Sequence, residues 1–230
     1  MFSGIKDFIL KDVILEFKDL KCLQHLNKLY DNYLPWSGAT IRPTALVYIL
    51  NEIMINNSKV IVECGSGIST IYIAALLKQL NQKERKLYSI DHDGKWLSVL
   101  NNELIRKGLS DYVKLIHAPL THCSECLNDN QTWYDTDVIR KNIEKEKIDL
   151  LIVDGPPANK KEIEYSRYPA LPFFKSNFSN SISILLDDAD RKGEQYIAKK
   201  WGSEIGETFK KSILKGNLLI CKKGNSYNVM

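Results

Sequence analysis

The 230-residue sequence lacks an apolar run near the ~20 residues that a membrane span requires, so it predicts no transmembrane helix. Its first twenty residues alternate charged and apolar positions at helical spacing and lack a basic leader with a small-residue cleavage site. An internal repeat, a low-complexity tract and a Pro/Gly/Ser-rich linker are also missing. These absences predict one globular domain, with the cytoplasm as its expected location.

The chain has little excess of one charge. Its formal net charge is +4, and basic residues alternate with acidic ones, as in KNIEKEK at 141–147. A nucleic-acid-binding protein usually clusters Lys and Arg on one element. The pattern indicates a solvated helix face and argues against nucleic acid as a partner.

Cysteine is scarce and scattered, and the odd number of residues predicts free thiols. The segment THCSEC places Cys123 and Cys126 beside His122, but a structural zinc site normally takes four ligands and no second pair is present. A metal site is therefore not expected there. The five cysteines are Cys22, Cys64, Cys123, Cys126 and Cys221.

The sequence does contain a regular alternation of strand-like and helix-like patterns. Helical patterns at 4–33, in two pieces, and at 41–56 come first, and a charged helix is predicted near 137–146. Apolar strand patterns cover 60–63, 86–91, 112–118, 148–154 and 181–188, and two further strand-like runs, 208–215 and 217–223, meet at Gly216. The order predicts an α/β fold with a doubly wound, mostly parallel sheet and a terminal antiparallel hairpin. Residues 1–56 are expected to form a helical extension that packs on a main domain at 57–230.

Polar residues occur where the predicted strands end, which in an open parallel sheet is the ligand-binding edge. Because chance would scatter them, their common placement predicts a site. They are Glu63, Asp91, His117, Asp154, Asp187 and Asp188.

The stretch VIVECGSGIST at 60–70 carries two glycines where a buried strand gives way to a helix. A dinucleotide-binding turn requires G-x-G-x-x-G, but Thr70 holds the third position. Glu63, directly before the turn, would repel a pyrophosphate and suits a cofactor with a cationic amino-acid end. Asp91, at the end of the next strand, is placed to accept two ribose hydroxyls.

Four motifs in order resemble those of class I S-adenosylmethionine-dependent methyltransferases: VIVECGSGIST, YSIDHD (88–93), IDLLIVDGPP (148–157) and ILLDDADR (184–191). They are most similar to the small-molecule O-methyltransferase branch that includes catechol O-methyltransferase. The resemblance covers residues 35–223 and implies a Rossmann-like, seven-stranded sheet whose last strand is antiparallel. It also implies S-adenosylmethionine as cofactor and methyl transfer to a hydroxyl of a small-molecule or sugar-like acceptor.

The resemblance implies roles for the residues of the first motif. Gly65, Ser66 and Gly67 would let the cofactor's methionyl part approach the backbone. Glu63 would lie near its ammonium group, directly or through water.

Further roles follow from the later strand ends. Asp91 would hold the ribose hydroxyls, with His92 beside the adenine and Ala118 in the wall of its pocket. Asp154 would lie under the methionyl end and the reacting centre. A hydroxyl needs a base or a metal to withdraw its proton, and the catalytic candidates are Asp154, His117 and Asp188.

In the catechol-type branch, a divalent ion is held by an acid ending the fourth strand and an Asp-Asn pair ending the fifth. Asp154 and Asp188 match the two acids, but Ala189 stands at the Asn position. Asp187 or Asp190 could supply the missing ligand, and Asp154, Asp187 and Asp188 are the candidate site for magnesium or another divalent cation. Alternatively, Asp187 and Asp188 cap the next helix and meet Arg191 without an ion.

Several alternatives stay open. Arg167 either clamps an anionic substrate or pairs with a neighbouring acid. Pro156-Pro157 is similar to a motif of enzymes that methylate amino groups of nucleic acids, but Ala158 replaces the stacking aromatic residue. Rival functions are a non-catalytic cofactor-binding or regulatory module and a nicotinamide-dependent oxidoreductase. The acceptor and the oligomeric state are left open.

Overall fold

Strands and helices alternate along the chain as the hydrophobic pattern predicts. The computed structural model describes residues 2–127, 132–143 and 145–229. The helices are α1 (Phe2–Leu29), α2 (Pro43–Ile55), α3 (Ile68–Gln79), α4 (Gly94–Arg106), α5 (Thr136–Ile143), α6 (Ala170–Phe174) and α7 (Lys192–Ile205). The strands are β1 (Val60–Cys64), β2 (Lys86–Asp91), β3 (Val113–His117), β4 (Leu120–His122), β5 (Thr132–Tyr134), β6 (Ile148–Val153), β7 (Phe178–Leu186), β8 (Lys210–Ser212) and β9 (Leu218–Lys223).

Seven of the described strands form one sheet in the order β3-β2-β1-β6-β7-β9-β8. The first five of these pair in parallel, and β9 pairs antiparallel with both β7 and β8. The predicted seven-stranded sheet with an antiparallel last strand is confirmed. The terminal hairpin lies at the edge of the sheet, where β9 stands between β7 and β8 and leaves β8 outermost.

The chain order reverses at β1, which has β2 on one side and β6 on the other. The connections leaving the carboxyl ends of β1 and β6 therefore diverge to opposite faces of the sheet. Such a switch point opens a crevice where α/β proteins bind ligands. The topology thus positions the ends of β1, β2, β6 and β7 around one opening.

Both faces of the sheet are covered, as the apolar strand β6 requires. Leu150 and Ile152 pack into one hydrophobic cluster with α2, α3 and α4, while Leu151 and Val153 pack into a second cluster with α5, α6 and α7. Leu26 of α1 belongs to the first cluster and is 1% exposed. The N-terminal residues therefore share the core of the sheet, and their assignment as a separate extension stays a prediction.

The N-terminal region differs from its predicted form. The predicted pair of helices at 4–33 is a single helix, α1, because the sequence has no glycine or proline between Ile5 and Leu34 to break it. Residues 30–42 follow as an irregular segment that is anchored by buried Leu34 and Ile41. None of the described helices combines the length and the apolar character that crossing a membrane demands.

The stretch after β3, whose sequence shows no clear periodicity, contains a small antiparallel sheet. Leu120 of β4 pairs with Tyr134 of β5, which turns Tyr134 into the second hydrophobic cluster. Residues 128–131 of this stretch lie outside the described residues. The helix predicted near 137–146 is α5, and Glu144 within that range is likewise outside them.

Candidate active site

A cavity of about 470 Å³ opens at the carboxyl ends of β1, β2, β6 and β7. Its lining includes the glycine turn after β1, Asp91 and His92, and also Asp154 and the acids that follow β7. The irregular segment after α1 contributes Pro35 and residues 37–41 to the lining. Four of the polar strand-end residues singled out from the sequence therefore meet around one opening: Asp91, Asp154, Asp187 and Asp188. Glu63 and His117 do not line it.

The two glycines of the turn are present for different physical reasons. Gly65 has φ +97°, and a Cβ built there would lie 2.9 Å from the backbone nitrogen of Gly155 and 3.0 Å from the carbonyl carbon of Asp154. Because those neighbours are backbone atoms, only glycine fits. Gly67 is extended, and a Cβ there would meet, among the described atoms, only Ser69 Oγ at 3.7 Å. Packing does not demand glycine at position 67, so its bare backbone leaves room for a ligand in the cavity.

Asp91 connects the end of β2 to this turn. Its Oδ2 accepts a hydrogen bond from the Ser66 N–H at 3.0 Å, and its Oδ1 accepts one from the Asp93 N–H at 2.8 Å. An ionised carboxylate has about four acceptor sites, so about two remain for a ligand. The side chain is thus held in place before any ligand arrives.

Glu63 lies behind the turn and is not part of the cavity lining. Its Oε2 accepts hydrogen bonds from the hydroxyls of Thr70 and Ser89, both at 2.6 Å, and Thr70 Oγ1 in turn accepts the Gly67 N–H at 3.0 Å. Burial raises the pKa of Glu63, and the hydroxyl hydrogen bonds oppose that shift. In the described part of the chain its buried Oε1 has no hydrogen-bond partner. Contact between Glu63 and an ammonium group stays a prediction.

Two other predicted residues lie outside the cavity. Ala118 is fully buried beside it and donates its N–H to the carbonyl of Asp91 at 2.8 Å. His117 is exposed, with its Nε2 3.1 Å from the His92 carbonyl oxygen. Because β3 is the edge strand beyond β2, the imidazole does not reach the acids after β6 and β7. A catalytic role for His117 loses its geometric support.

Sequence reasoning missed two aromatic residues of the cavity wall. The indole Nε1 of Trp96 donates to the Ser66 carbonyl at 2.8 Å and braces the glycine turn. Tyr134 is buried, and its hydroxyl lies where a side chain at Gly155 would stand. In the sequence, Trp96 looks like one of the apolar residues of an amphipathic helix face. Tyr134 follows a stretch without clear periodicity, so neither residue carries a local signal of the site. Trp36, in contrast, packs against Tyr72 with ring centroids 6.4 Å apart and does not line the cavity.

The acids after β6 and β7 form a compact group. Asp154, Asp187 and Asp188 each offer a carboxylate oxygen within 4.8 Å of the others, and no second such group of His, Cys, Asp or Glu exists among the described residues. Glu194, in the first turn of α7, lies beside them. We call these four residues the acid cluster. The segment with Cys123 and Cys126 forms no comparable group, and these thiols are free, as the sequence predicts.

Arg167 crosses the acid cluster. Its Nη2 lies 3.2 Å from Asp154 Oδ1, and its Nη1 lies 3.0 Å from Asp188 Oδ2 and 3.6 Å from Glu194 Oε1. The side chain is only 4% exposed. Of the two sequence-level alternatives for Arg167, the structure therefore shows pairing with neighbouring acids.

A family model described as "Methyltransferase domain" matches residues 62–177, which is half of the chain. This chain belongs to that methyltransferase family. The matched region contains the glycine turn, Asp91, Asp154 and Arg167. The prediction that the chain is a methyltransferase is confirmed.

Solved structures share the fold of this methyltransferase at low sequence identity. A proposed caffeoyl-CoA O-methyltransferase from Staphylococcus aureus has a TM-score of 0.61 at 14% identity, covering 94% of this chain and 100% of its own. S-adenosylhomocysteine-bound PaMTH1 from Podospora anserina has a TM-score of 0.58 at 12% identity, covering 89% and 88%. An O-methyltransferase from Bacillus cereus in complex with S-adenosylhomocysteine has a TM-score of 0.52 at 16% identity, covering 90% of each chain. A search of curated protein sequences gives no significant match.

Charge in the acid cluster of the methyltransferase is only partly balanced. Four carboxyls face two guanidiniums, since Arg191 Nη1 also lies 2.8 Å from Asp188 Oδ2. Burial raises the pKa of Asp154 to about 7, although Arg167 opposes the shift. Burial also raises the pKa of Glu194 to about 7 and that of Asp187 well above its usual range. Protons on these carboxyls therefore reduce the remaining negative charge.

The same cluster is where the resemblance implies a divalent ion. The spacing of Asp154, Asp187 and Asp188 suits an ion that binds several oxygens. The surrounding cations do not suit such an ion, because the guanidinium of Arg167 already contacts two of the three carboxylates at 3.0–3.2 Å. These residues do not fit a resident divalent ion, and the predicted ion stays an untested expectation.

Proposed function

We propose that this methyltransferase transfers the methyl group of S-adenosylmethionine to a hydroxyl oxygen of a small-molecule or sugar-like acceptor. The observation that carries the proposal is the arrangement at the switch point. The bare backbone at Gly67, the held carboxylate of Asp91 and the carboxyl group of Asp154 line the same cavity. The bound S-adenosylhomocysteine in two proteins of the same fold supports the choice of cofactor.

The charge of the cavity favours a cationic cofactor and a neutral acceptor. Four carboxyl groups, those of Asp91 and three acid-cluster residues, line the described part of the cavity wall, against the two guanidiniums of Arg167 and Arg191. Both guanidiniums are already paired with acids. Protons on Asp154 and Asp187 bring the charge of this wall close to balance, so it fits a neutral acceptor, while the remaining carboxylates attract the sulfonium of the donor.

The chemistry is an in-line displacement in which the acceptor oxygen attacks the methyl carbon and the sulfonium becomes a neutral thioether. The hydroxyl proton leaves to a base, and water must be excluded from the reacting atoms. Asp154 is the base in this proposal, because its carboxylate lines the cavity, is 20% exposed and is oriented by Arg167. Asp188 also lines the cavity, but two guanidiniums engage its Oδ2.

S-adenosylhomocysteine, and not NAD, is expected to stabilise the purified protein. A ligand present at one hundred times its dissociation constant adds about 2.7 kcal/mol to the free energy of unfolding. Thermal unfolding with each compound measures this directly. Stabilisation by NAD alone would favour the oxidoreductase, and S-adenosylhomocysteine binding without turnover on any hydroxylated acceptor would favour the regulatory module.

Asp154→Asn is expected to lower the rate of methyl transfer by roughly 10²–10⁴-fold, the usual contribution of a positioned general base. The amide keeps the shape of the side chain and cannot take up the proton. The measurement is transfer of labelled methyl to an acceptor found by screening hydroxylated metabolites. Asp190→Asn, which changes an exposed acid nearby, is the control with unaltered rate. A fully active Asp154→Asn enzyme would remove Asp154 from the mechanism.

A further inference from the structure

We propose that the guanidinium of Arg167 is the resident cation of the acid cluster, so that the cluster keeps its geometry without a divalent ion. The inference depends on the proposed function only for the role given to Asp154. Its evidence is the set of contacts that Arg167 makes, the residue that stands at position 189, and the second guanidinium at Arg191.

The guanidinium ties together the ends of two neighbouring strands. Nη2 donates to the carbonyl oxygen of Asp154 at 2.8 Å, Nη1 is 3.5 Å from that of Asp187, and Nε donates to the Pro156 carbonyl at 3.3 Å. These contacts are additional to the carboxylates of Asp154 and Asp188. One buried cation thus fixes both the backbone and the side chains where the strands β6 and β7 end.

A divalent ion would have to bridge the same two strand ends. An arginine does so with a rigid planar fork of donors, which is why it suits fixed pairs of carboxylates. Because the fork is anchored on main-chain carbonyls, it cannot turn away without leaving those oxygens unpaired. Arg167 therefore occupies the position from which a cation organises the cluster.

Position 189 supplies no oxygen ligand from its side chain. Ala189 is fully buried, and its N–H donates to the Asn217 carbonyl at 2.8 Å. In place of an amide oxygen, the turn after β7 brings in Arg191, whose guanidinium pairs with Asp188. A ligand is missing where the resemblance expects one, and a positive charge has been added beside it. Both differences disfavour a metal and favour organisation by arginine.

Arg167 is accordingly a positioning residue that orients Asp154 and Asp188. Replacing it with a neutral side chain would leave buried carboxylates without their cation, and they would then attract an external one. A divalent ion is expected to bind the altered cluster better than the original. A gain of divalent-ion binding on loss of Arg167 would not be expected if Arg167 had a merely structural role.

The test compares Mg²⁺ and Mn²⁺ titrations of the wild-type protein with those of Arg167→Gln, without cofactor or acceptor. The wild type is expected to show no saturable Mn²⁺ binding by calorimetry up to about 1 mM, the weak end of protein sites for hard divalent cations. Arg167→Gln is expected to melt at a lower temperature, and Mg²⁺ or Mn²⁺ is expected to restore part of that loss. Arg167→Lys keeps the charge but not the fork, so it should keep part of the stability and show no metal response.

Arg191→Gln is the matched control, because it removes the neighbouring guanidinium from the half-exposed side of the cluster. It is expected to lose less stability and to gain no metal response. Saturable binding of Mn²⁺ to the wild type below about 1 mM would overturn the proposal. So would a metal response of Arg191→Gln equal to that of Arg167→Gln. If Arg167→Gln does not fold, the metal titrations of the wild type and of Arg167→Lys still test the proposal. Since neither ligand of the transfer reaction is used, failure here is distinguishable from failure of the proposed function.

Discussion

Asp91→Ala is expected to raise the dissociation constant for S-adenosylhomocysteine by roughly 10²–10⁴-fold. A charge-assisted hydrogen bond contributes about 1.5–3 kcal/mol, and a ribose presents two hydroxyls to the carboxylate. The carboxylate also accepts the Ser66 N–H at 3.0 Å, so its loss loosens the glycine turn as well. Titration calorimetry of the purified variant measures the change.

Asp93→Ala is the control for this experiment. Asp93 is the N-cap of α4 and accepts the N–H groups of Lys95 and Trp96, but it does not line the cavity. Its replacement is expected to cost about 1 kcal/mol of stability with little effect on cofactor affinity. Unchanged affinity of Asp91→Ala for S-adenosylhomocysteine would show that Asp91 only closes the turn and does not bind the cofactor.

Gly65→Ala is expected to lower the free energy of unfolding by about 2–6 kcal/mol. A non-glycine residue at φ +97° costs of order 1–3 kcal/mol, and forcing a methyl group into packed backbone costs about 1–3 kcal/mol more. The backbone of Gly155 is the obstacle, and it cannot move away without opening the contact between the ends of β1 and β6. Chemical denaturation followed by circular dichroism measures the loss.

Gly67→Ala separates folding from binding at the same turn. Its added methyl group meets no packed backbone among the described residues, so stability should stay within about 1 kcal/mol of the wild type. The methyl group would enter the cavity instead, and cofactor affinity is expected to fall. Equal stability losses in the two variants would contradict the distinction drawn between the two glycines.

The presence of the fold could be predicted from the sequence because its signals are local. The buried strands are short apolar runs, and the helices between them show a period near 3.6 residues. Thr70 in place of a third glycine, and acids directly after apolar strands, are likewise visible in a few consecutive residues. Parallel strands then bring their carboxyl ends to one edge, which predicts the site near Asp91 and Asp154.

The contacts that decide the chemistry could not be predicted in this way. Arg167 lies 13 residues from Asp154 and 21 from Asp188, and only the path of the chain into α6 shows that it bridges both. His117 ends a strand like the other polar residues, but the position of β3 at the edge of the sheet takes it away from the acids. Strand order, unlike strand existence, is a property of the whole sheet.

The sequence by itself determined the methyltransferase motifs, the alternating elements and the edge of the sheet where the site lies, because each depends on neighbouring residues. Only the tertiary structure decided that Gly65 is demanded by the backbone of Gly155 while Gly67 faces open space. It alone decided that Arg167 pairs with Asp154 and Asp188. These contacts join residues far apart in the chain, and their distances are set by the packing of several elements at once.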